Sequence, residues 1–334
     1  MTTRGLTAID GLVVGHHTLE SRPTGCTVIL AEGGATAAVD VRGASPGTRE
    51  TALLDPTNRV QQVHAIVLSG GSAFGLAAAD GVMRYLDERG VGFPTRGGPV
   101  PIVPAAILFD LTLGDGTIRP DAECGYRAAQ TATGDGVAEG SVGAGAGATV
   151  GKLGGPGRAM KGGIGTALIE LPDGVRVAAL MAVNAVGDIH DPETGALIAG
   201  VRTRDGRTLE GAGSLLRQTP SAAPRGENTT IGVVATNVPL TQAQLGVVAR
   251  MAHDGLARVV RPAHTPVDGD TIFALSTDSI DSGDWTTDIG RLRIGALAAE
   301  VTAEAIVRAV REATGVPGYP AARDLIDDAK EDGR

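Results

Sequence analysis

Residues 226–237 read GENTTIGVVATN, an asparagine and two threonines set directly against a short apolar run. TIGVVATN is rich in β-branched residues and bounded by polar ones, the pattern of a buried strand. A helix is expected after it, from Thr241 to about Val259, with Thr241 as cap and Gln244 in the capping-box position. DTIFALSTD (270–278) is a further apolar strand, and RLRIGALAAEVTAEAIVRAVREA (291–313) a long amphipathic helix. On the other side, VRVAALMAVNAVGDIHDPETG (175–195) reads as a long buried strand ending in a polar turn. Residues 196–227 then lose periodicity and gather Arg, Gly, Ser, Gln and Pro, as a flexible linker would.

Nearer the N-terminus, CTVILAE (26–32) and TAAVDVRG (36–43) read as two strands joined by a Gly-Gly turn, a hairpin. HAIVLSGGSAFGLAAADGVMRYLDERG (64–90) opens as a strand. It bends at Gly70-Gly71, and continues as a helix with Ser72 as its expected cap. Such a bend either holds an anion or simply permits tight helix-on-sheet packing. VPIVPAAILFDL (100–111), twice interrupted by Pro, is an edge or a broken element. Helices thus alternate with strand pairs buried on both faces. The pattern fits a sandwich of two sheets between helical layers, with a doubly wound sheet as the alternative.

Composition narrows the function. The chain has 334 residues and a net charge of −9, with no block of lysines or arginines, which argues against a nucleic-acid surface. Four Phe, three Tyr and one Trp leave the core to Val, Ala, Ile and Leu. The 50 glycines cluster at turns and in GSVGAGAGATVGKLGGPG (140–157), pointing to close backbone packing or backbone contacts to a ligand. Cys26 and Cys124 are expected as free buried thiols. MTTRGLTAIDG lacks the apolar stretch of a signal peptide, and the apolar runs are too short to cross a membrane, so a cytoplasmic location is expected.

Familiar signatures are missing. There is no GxxxxGK[ST], no HExxH and no cysteine-rich metal spacing, and Gly143-x-Gly145-x-Gly147 lacks the strand–turn–helix setting of a dinucleotide site. Asn228-Thr229 offers another chemistry. A threonine hydroxyl is a poor nucleophile without a base, and its own α-amine, exposed when the chain is cut before it, can serve as one. By composition alone the pair reads first as an ordinary turn, and the nucleophile reading is a weak signal.

The wider sequence resembles the DmpA-like family, also called P1-family or S58 peptidases, which share their fold with ornithine acetyltransferases. The resemblance runs from AIDGLVVGHHTLESRPTGCTVILAEGG through LSGGSAFGLAAADGVMRYL, MKGGIGTA, AVNAVGDIHDPETG and ENTTIGVVATN to AHDGLARVVRPAHTPVDGDTIFALST. It implies a single four-layer αββα sandwich over 1–334. It also implies a chain that cuts itself into 1–228 and 229–334, with Asn228 and Thr229 flanking the cut. At that site the chain is most similar to the 6-aminohexanoate-oligomer (nylon oligomer) hydrolases.

Carried over by residue, the resemblance makes Thr229 the nucleophile and Asn184 an oxyanion donor. Asp268 and Asp270 become the carboxylates that orient the amine, hold a lysine or line an amine pocket. Lys152 is the matching lysine, with Lys161 in reserve. Where nylon-oligomer hydrolases carry a tyrosine, this chain has Leu108. The implied reaction is amide hydrolysis through an acyl-threonine ester, with no metal or organic cofactor. Its substrates would be small peptides or amides bearing a free amine, and the protein a homo-oligomer, a tetramer or larger. Acyl transfer to an amine, as in ornithine acetyltransferases, and a non-catalytic scaffold or metabolite-binding protein are the alternatives.

Overall fold

The computed structural model describes residues 2–218, 227–281 and 283–325. The principal strands are β1 (Val13–Thr18), β2 (Gly25–Val41), β3 (Gln62–Ser69), β4 (Ala105–Ile107), β5 (Gly163–Glu170), β6 (Arg176–Asn184), β7 (Thr229–Thr236) and β8 (Thr271–Ser276). The principal helices are α1 (Ala78–Asp87), α2 (Ala122–Gln130), α3 (Gln242–Val259) and α4 (Asp288–Arg311). Hydrogen bonding orders the strands β5-β6-β7-β8-β2-β3-β4, with β1 also on β2. β7 and β8 run parallel, as do β3 and β4; the other pairs are antiparallel.

β2 is where the expected hairpin fails. Residues 25–41 form one strand of 17 residues. Its first half pairs with β1 and β3, and its second half with β8. Gly33-Gly34 does not reverse the chain. Gly34 takes φ +82, and the pairing with β3 jumps from Leu30–Ala65 to Ala35–Val63, a bulge that bends the strand. Each half finds long-range partners, and these outcompete the local turn. The bent strand is thus shared by two sheets.

Those sheets face each other. Ala178, Leu180, Ala182, Ile231, Val233, Phe273 and Leu275 of one pack against Val14, Ile29, Ile66, Leu68 and Ala106 of the other. The outer face of the first carries Met181, Val183, Val234 and Ile272 against Leu245, Leu256, Ile294 and Val301 of α3 and α4. The outer face of the second carries Val28, Leu30 and Val67 against Val82, Leu86 and Ala128 of α1 and α2. This is the four-layer αββα sandwich, and the period-2 alternation of each strand sends one set of side chains into each layer. The helical layers close tightly because Gly81 and Gly125 let α1 and α2 touch by their backbones: a Cβ at either would overlap the carbonyl of Ala122 or Ala78.

Other expectations meet mixed outcomes. The capping box at Thr241 and Gln244 forms as read. Ser72 caps nothing with its side chain; Gly71 in the left-handed region opens a 3-10 turn, and α1 starts six residues later. The anion at that bend is the chain's own, since Gly71 N–H donates to Asp110 Oδ1 at 2.9 Å. Cys26 and Cys124 are not free thiols but a disulfide joining β2 to α2, with Cα atoms 6.3 Å apart. Their separation of 98 residues carries no local sign of the pairing; β2 and α2 meet only through the tertiary fold. The linker read at 196–227 is partly ordered, with a strand Leu197–Ala199 and a short helix Ala212–Leu216; its residues 219–226 lie outside the described residues. Among the described residues, no helix is long and apolar enough to cross a membrane.

Candidate active site

Thr229 opens β7, 4% exposed, and shares the inner face with Ile231 and Val233. Its cross-strand partner is Asn184, the last residue of β6. Directly opposed residues of an antiparallel pair project from the same face, so both side chains enter the space between the sheets. Thr229 Oγ1 donates to the carbonyl of Asn228 immediately before it. That carbonyl oxygen also accepts from Gly269 N–H at 2.8 Å, where Asn228 bridges in parallel to Asp268.

Asn184 is fully buried and its amide is fixed from both ends. Oδ1 accepts from Lys152 Nζ at 2.7 Å and Thr149 N–H at 3.0 Å. Nδ2 donates to the carbonyls of Phe109 at 3.0 Å and Glu227 at 3.4 Å. Lys152 as a whole is half-buried, but its ammonium is enclosed and also donates to the carbonyls of Asn184 at 2.9 Å and Glu227 at 3.2 Å. Gly151, at φ +70, makes the left-handed step that delivers the lysine, and a Cβ there would strike the backbone of Gly200. Glu227 is the junction: its carbonyl occupies Lys152 and Asn184 together.

The carboxylates sit on the loop before β8. Asp268 Oδ2 accepts from Thr265 N–H at 2.8 Å and Thr265 Oγ1 at 2.5 Å. Burial, and then the neighbouring charge of Asp270, push the Asp268 carboxyl above its usual range; the Thr265 hydrogen bonds and the charge of Lys152 oppose the shift. Asp270 Oδ1 accepts from Thr230 N–H at 2.7 Å, and its Oδ2 from the backbone N–H of His264 at 3.1 Å and His264 Nδ1 at 2.9 Å. Both acids are 2% exposed. Of the two, Asp270 holds the start of β7 through Thr230 N–H, while the Asp268 carboxylate turns back on Thr265 of its own loop.

Lys161 is a different case. It is fully buried, and its ammonium donates to the carbonyls of Ala148 at 2.8 Å, Gly145 at 3.3 Å and Gly162 at 3.4 Å. It reaches Asn184 only through the Ala148–Thr149 peptide, whose oxygen it holds and whose N–H meets Asn184 Oδ1. Leu108 is fully buried in the core between the sheets.

Burial pushes both lysines down to about 7, against nearby carboxylates that pull upward. In the unfolded chain each keeps its proton to ~10.5. Between those values the unfolded state binds more protons, so the contribution of these groups to stability rises with pH; their penalty is full below about 7. Lys161→Met is expected to flatten that rise, read as a smaller gain in urea midpoint between pH 7 and pH 9 than wild type shows.

Sequence reading supplied Thr229, Asn184, Lys152, Asp268 and Asp270, and the fold brings these five together. It missed Gly269 N–H, Thr149, Thr265 and His264. A signal existed for Thr265, since threonine three residues before Asp268 is a side-chain-to-backbone turn pattern. A backbone donor such as Gly269 leaves no mark in composition.

Comparison with known proteins identifies the family. Residues 5–323 match the profile of peptidase family S58. An uncharacterized aminopeptidase of Mycobacterium leprae is 45% identical over 94% of this chain and 92% of its own. A 6-aminohexanoate-oligomer endohydrolase of Kocuria sp. is 32% identical over 90% of this chain and 84% of its own. Among solved structures, a Burkholderia sp. β-aminopeptidase superposes with a TM-score of 0.69 at 23% identity, covering 100% of this chain and 96% of that one. The l-aminopeptidase d-Ala-esterase/amidase of Ochrobactrum anthropi does so with 0.69 at 20% identity and the same coverage, a likeness of fold. The family match spans nearly the whole sequence, and the chain therefore belongs to peptidase family S58, hydrolases of peptide and amide bonds.

Proposed function

We propose that this hydrolase cuts itself between Asn228 and Thr229 and then uses the freed Thr229 as an N-terminal nucleophile. In the first step Thr229 Oγ1 attacks the Asn228 carbonyl carbon, the peptide nitrogen leaves as the Thr229 amine, and water hydrolyses the resulting ester. Gly269 N–H, already on the Asn228 oxygen at 2.8 Å, is placed to stabilise the tetrahedral oxyanion. In the second reaction the α-amine takes the Thr229 proton as the hydroxyl attacks the substrate amide. It then protonates the leaving nitrogen and activates water for deacylation.

The observation that carries this reading is the double occupancy by Glu227. Its carbonyl holds Lys152 Nζ and Asn184 Nδ2 together, the two side-chain donors suited to a substrate oxyanion. Cutting after Asn228 releases that carbonyl from the chain that holds it in place. Processing and opening of the site are then one event.

The substrates we propose are small peptides or amides with a free amine, the class suggested by the aminopeptidase relative, with aminohexanoate oligomers as the second reading from the endohydrolase relative. Asp268 is the counter-charge for that amine. An amino-acid p-nitroanilide should therefore be hydrolysed, and its N-acetylated form should not. Equal rates on both would overturn the amine-recognition reading. Asp268→Asn and Asp270→Asn are each expected to lower turnover by ~10²-fold or more, the range for lost positioned acid–base or electrostatic help. Full activity in both, with the fold intact by circular dichroism, would remove their assignment. We propose self-association as well; gel filtration giving a strict monomer would contradict it.

A further inference from the structure

We propose that His264 is a positioning residue for the nucleophile, acting through Asp270 on the first residues of β7. This rests on the reading of Thr229 as the nucleophile. The chain of contacts is short. His264 presents both its backbone N–H and its Nδ1 to Asp270 Oδ2, at 3.1 and 2.9 Å. That double hold turns the carboxylate so that Oδ1 meets Thr230 N–H at 2.7 Å. Thr230 is the residue bonded to Thr229, so the carboxylate sets the position of the strand end from which Thr229 Oγ1 projects.

The surroundings leave the imidazole little choice. Because Nδ1 faces a carboxylate, which can only accept, it carries a hydrogen and donates it. Nε2 is buried with no hydrogen-bond partner among the described residues. The ring stands edge-on to that of His253 on α3, with centroids 4.8 Å apart and planes at 71°. His253 is itself anchored by Nε2 to the main-chain oxygen of Asp40 on β2 at 3.0 Å, with the Asp40 carboxylate 3.7 Å away. Arg42 in turn pairs with Asp40. Among the described residues, the charged and titratable groups in this chain of contacts are Asp270, His253, Asp40 and Arg42, with Asp268 beyond Asp270. His264 thus packs against α3 through the His253 ring, and His253 is in turn held to β2 by Asp40.

The backbone adds a second constraint. His264 has φ +55, in the left-handed region where few side chains are at ease. In this conformation the residue directs its backbone N–H and its ring nitrogen to the same oxygen. Asparagine tolerates this conformation, and its Nδ2 lies where Nδ1 of histidine lies. Glycine tolerates it too but brings no donor. The pair separates the side chain's hydrogen bond from the backbone geometry.

The test compares His264→Asn and His264→Gly with wild type, measuring the rate of chain cleavage after synthesis, kcat and KM on an amino-acid p-nitroanilide, and the thermal midpoint. A misplacement of the nucleophile by about 1 Å lowers the rate by up to ~10²-fold. We therefore expect His264→Gly to lose kcat by ~10- to 100-fold and to cleave its chain slowly, with KM little changed. His264→Asn is expected to recover most of that loss. A merely structural role would lower the thermal midpoint of both variants and leave kcat per active site at the wild-type value. That outcome overturns the proposal, as would equal impairment of Asn and Gly. Thr229→Ala, run alongside, separates the two readings: if it stays active, the nucleophile assignment fails. If it is dead while His264→Gly matches wild type, only the role of His264 fails.

Discussion

Purified protein is expected to run as two non-covalently associated pieces, residues 1–228 and 229–334, with the smaller one beginning Thr-Thr-Ile-Gly-Val on Edman sequencing. Thr229→Ala should stay one chain of 33.6 kDa and be inactive, since the attacking hydroxyl and the means of exposing the amine are both lost. The effect is all-or-none because one atom serves both reactions. Thr229 Oγ1 already contacts the Asn228 carbonyl, and β7 holds it there between Asn184 and the Gly269 loop. Thr229→Ser should still process, more slowly, because the methyl that restricts the rotamer is gone. Thr230→Ala should process, since Asp270 is bonded to the backbone N–H of Thr230 and not to its hydroxyl. Cleavage at this bond in Thr229→Ala, or full activity in an intact chain, would sink the mechanism.

Lys152→Met should be the next most damaging change, with turnover down by ~10²- to 10³-fold, the range for removing one positioned oxyanion donor. The ammonium is the donor that Glu227 occupies in the intact chain, and its partners here are all oxygens. A donor must be protonated, and burial brings this lysine down to about 7. Wild-type kcat should therefore rise with pH as the Thr229 amine loses its proton, then fall as Lys152 loses its own. The residual activity of Lys152→Met should lack the falling limb, whereas Lys161→Met should keep it. Exchange of those two results would transfer the role to Lys161. A falling limb retained in both variants would remove a lysine from the chemistry.

Much of this was legible in the residues. The apolar runs at 175–184 and 229–236, the capped helix at Thr241 and the long C-terminal helix follow from period-2 and period-3.6 patterns, which depend only on neighbours along the chain. Thr229, Asn184, Lys152 and the pair Asp268 and Asp270 could be named because each sits in a short motif resembling those of one family. What the sequence could not carry was every relation between distant segments. Gly33-Gly34 has the composition of a turn, yet the chain bulges there and does not reverse, because β1 and β3 bind residues 25–30 on one side and β3 and β8 bind residues 35–41 on the other. Cys26 meets Cys124, Lys152 meets Asn184 and His253 meets His264 across α3 and the loop before β8, none by local rule. The choice between Lys152 and Lys161 shows the reason most plainly. Both are lysines beside glycines with enclosed ammonium groups, alike in sequence and alike in their downward shift. One points its ammonium at Asn184 and Glu227, the other at three carbonyls a peptide away, and only the packing of the two sheets decides which.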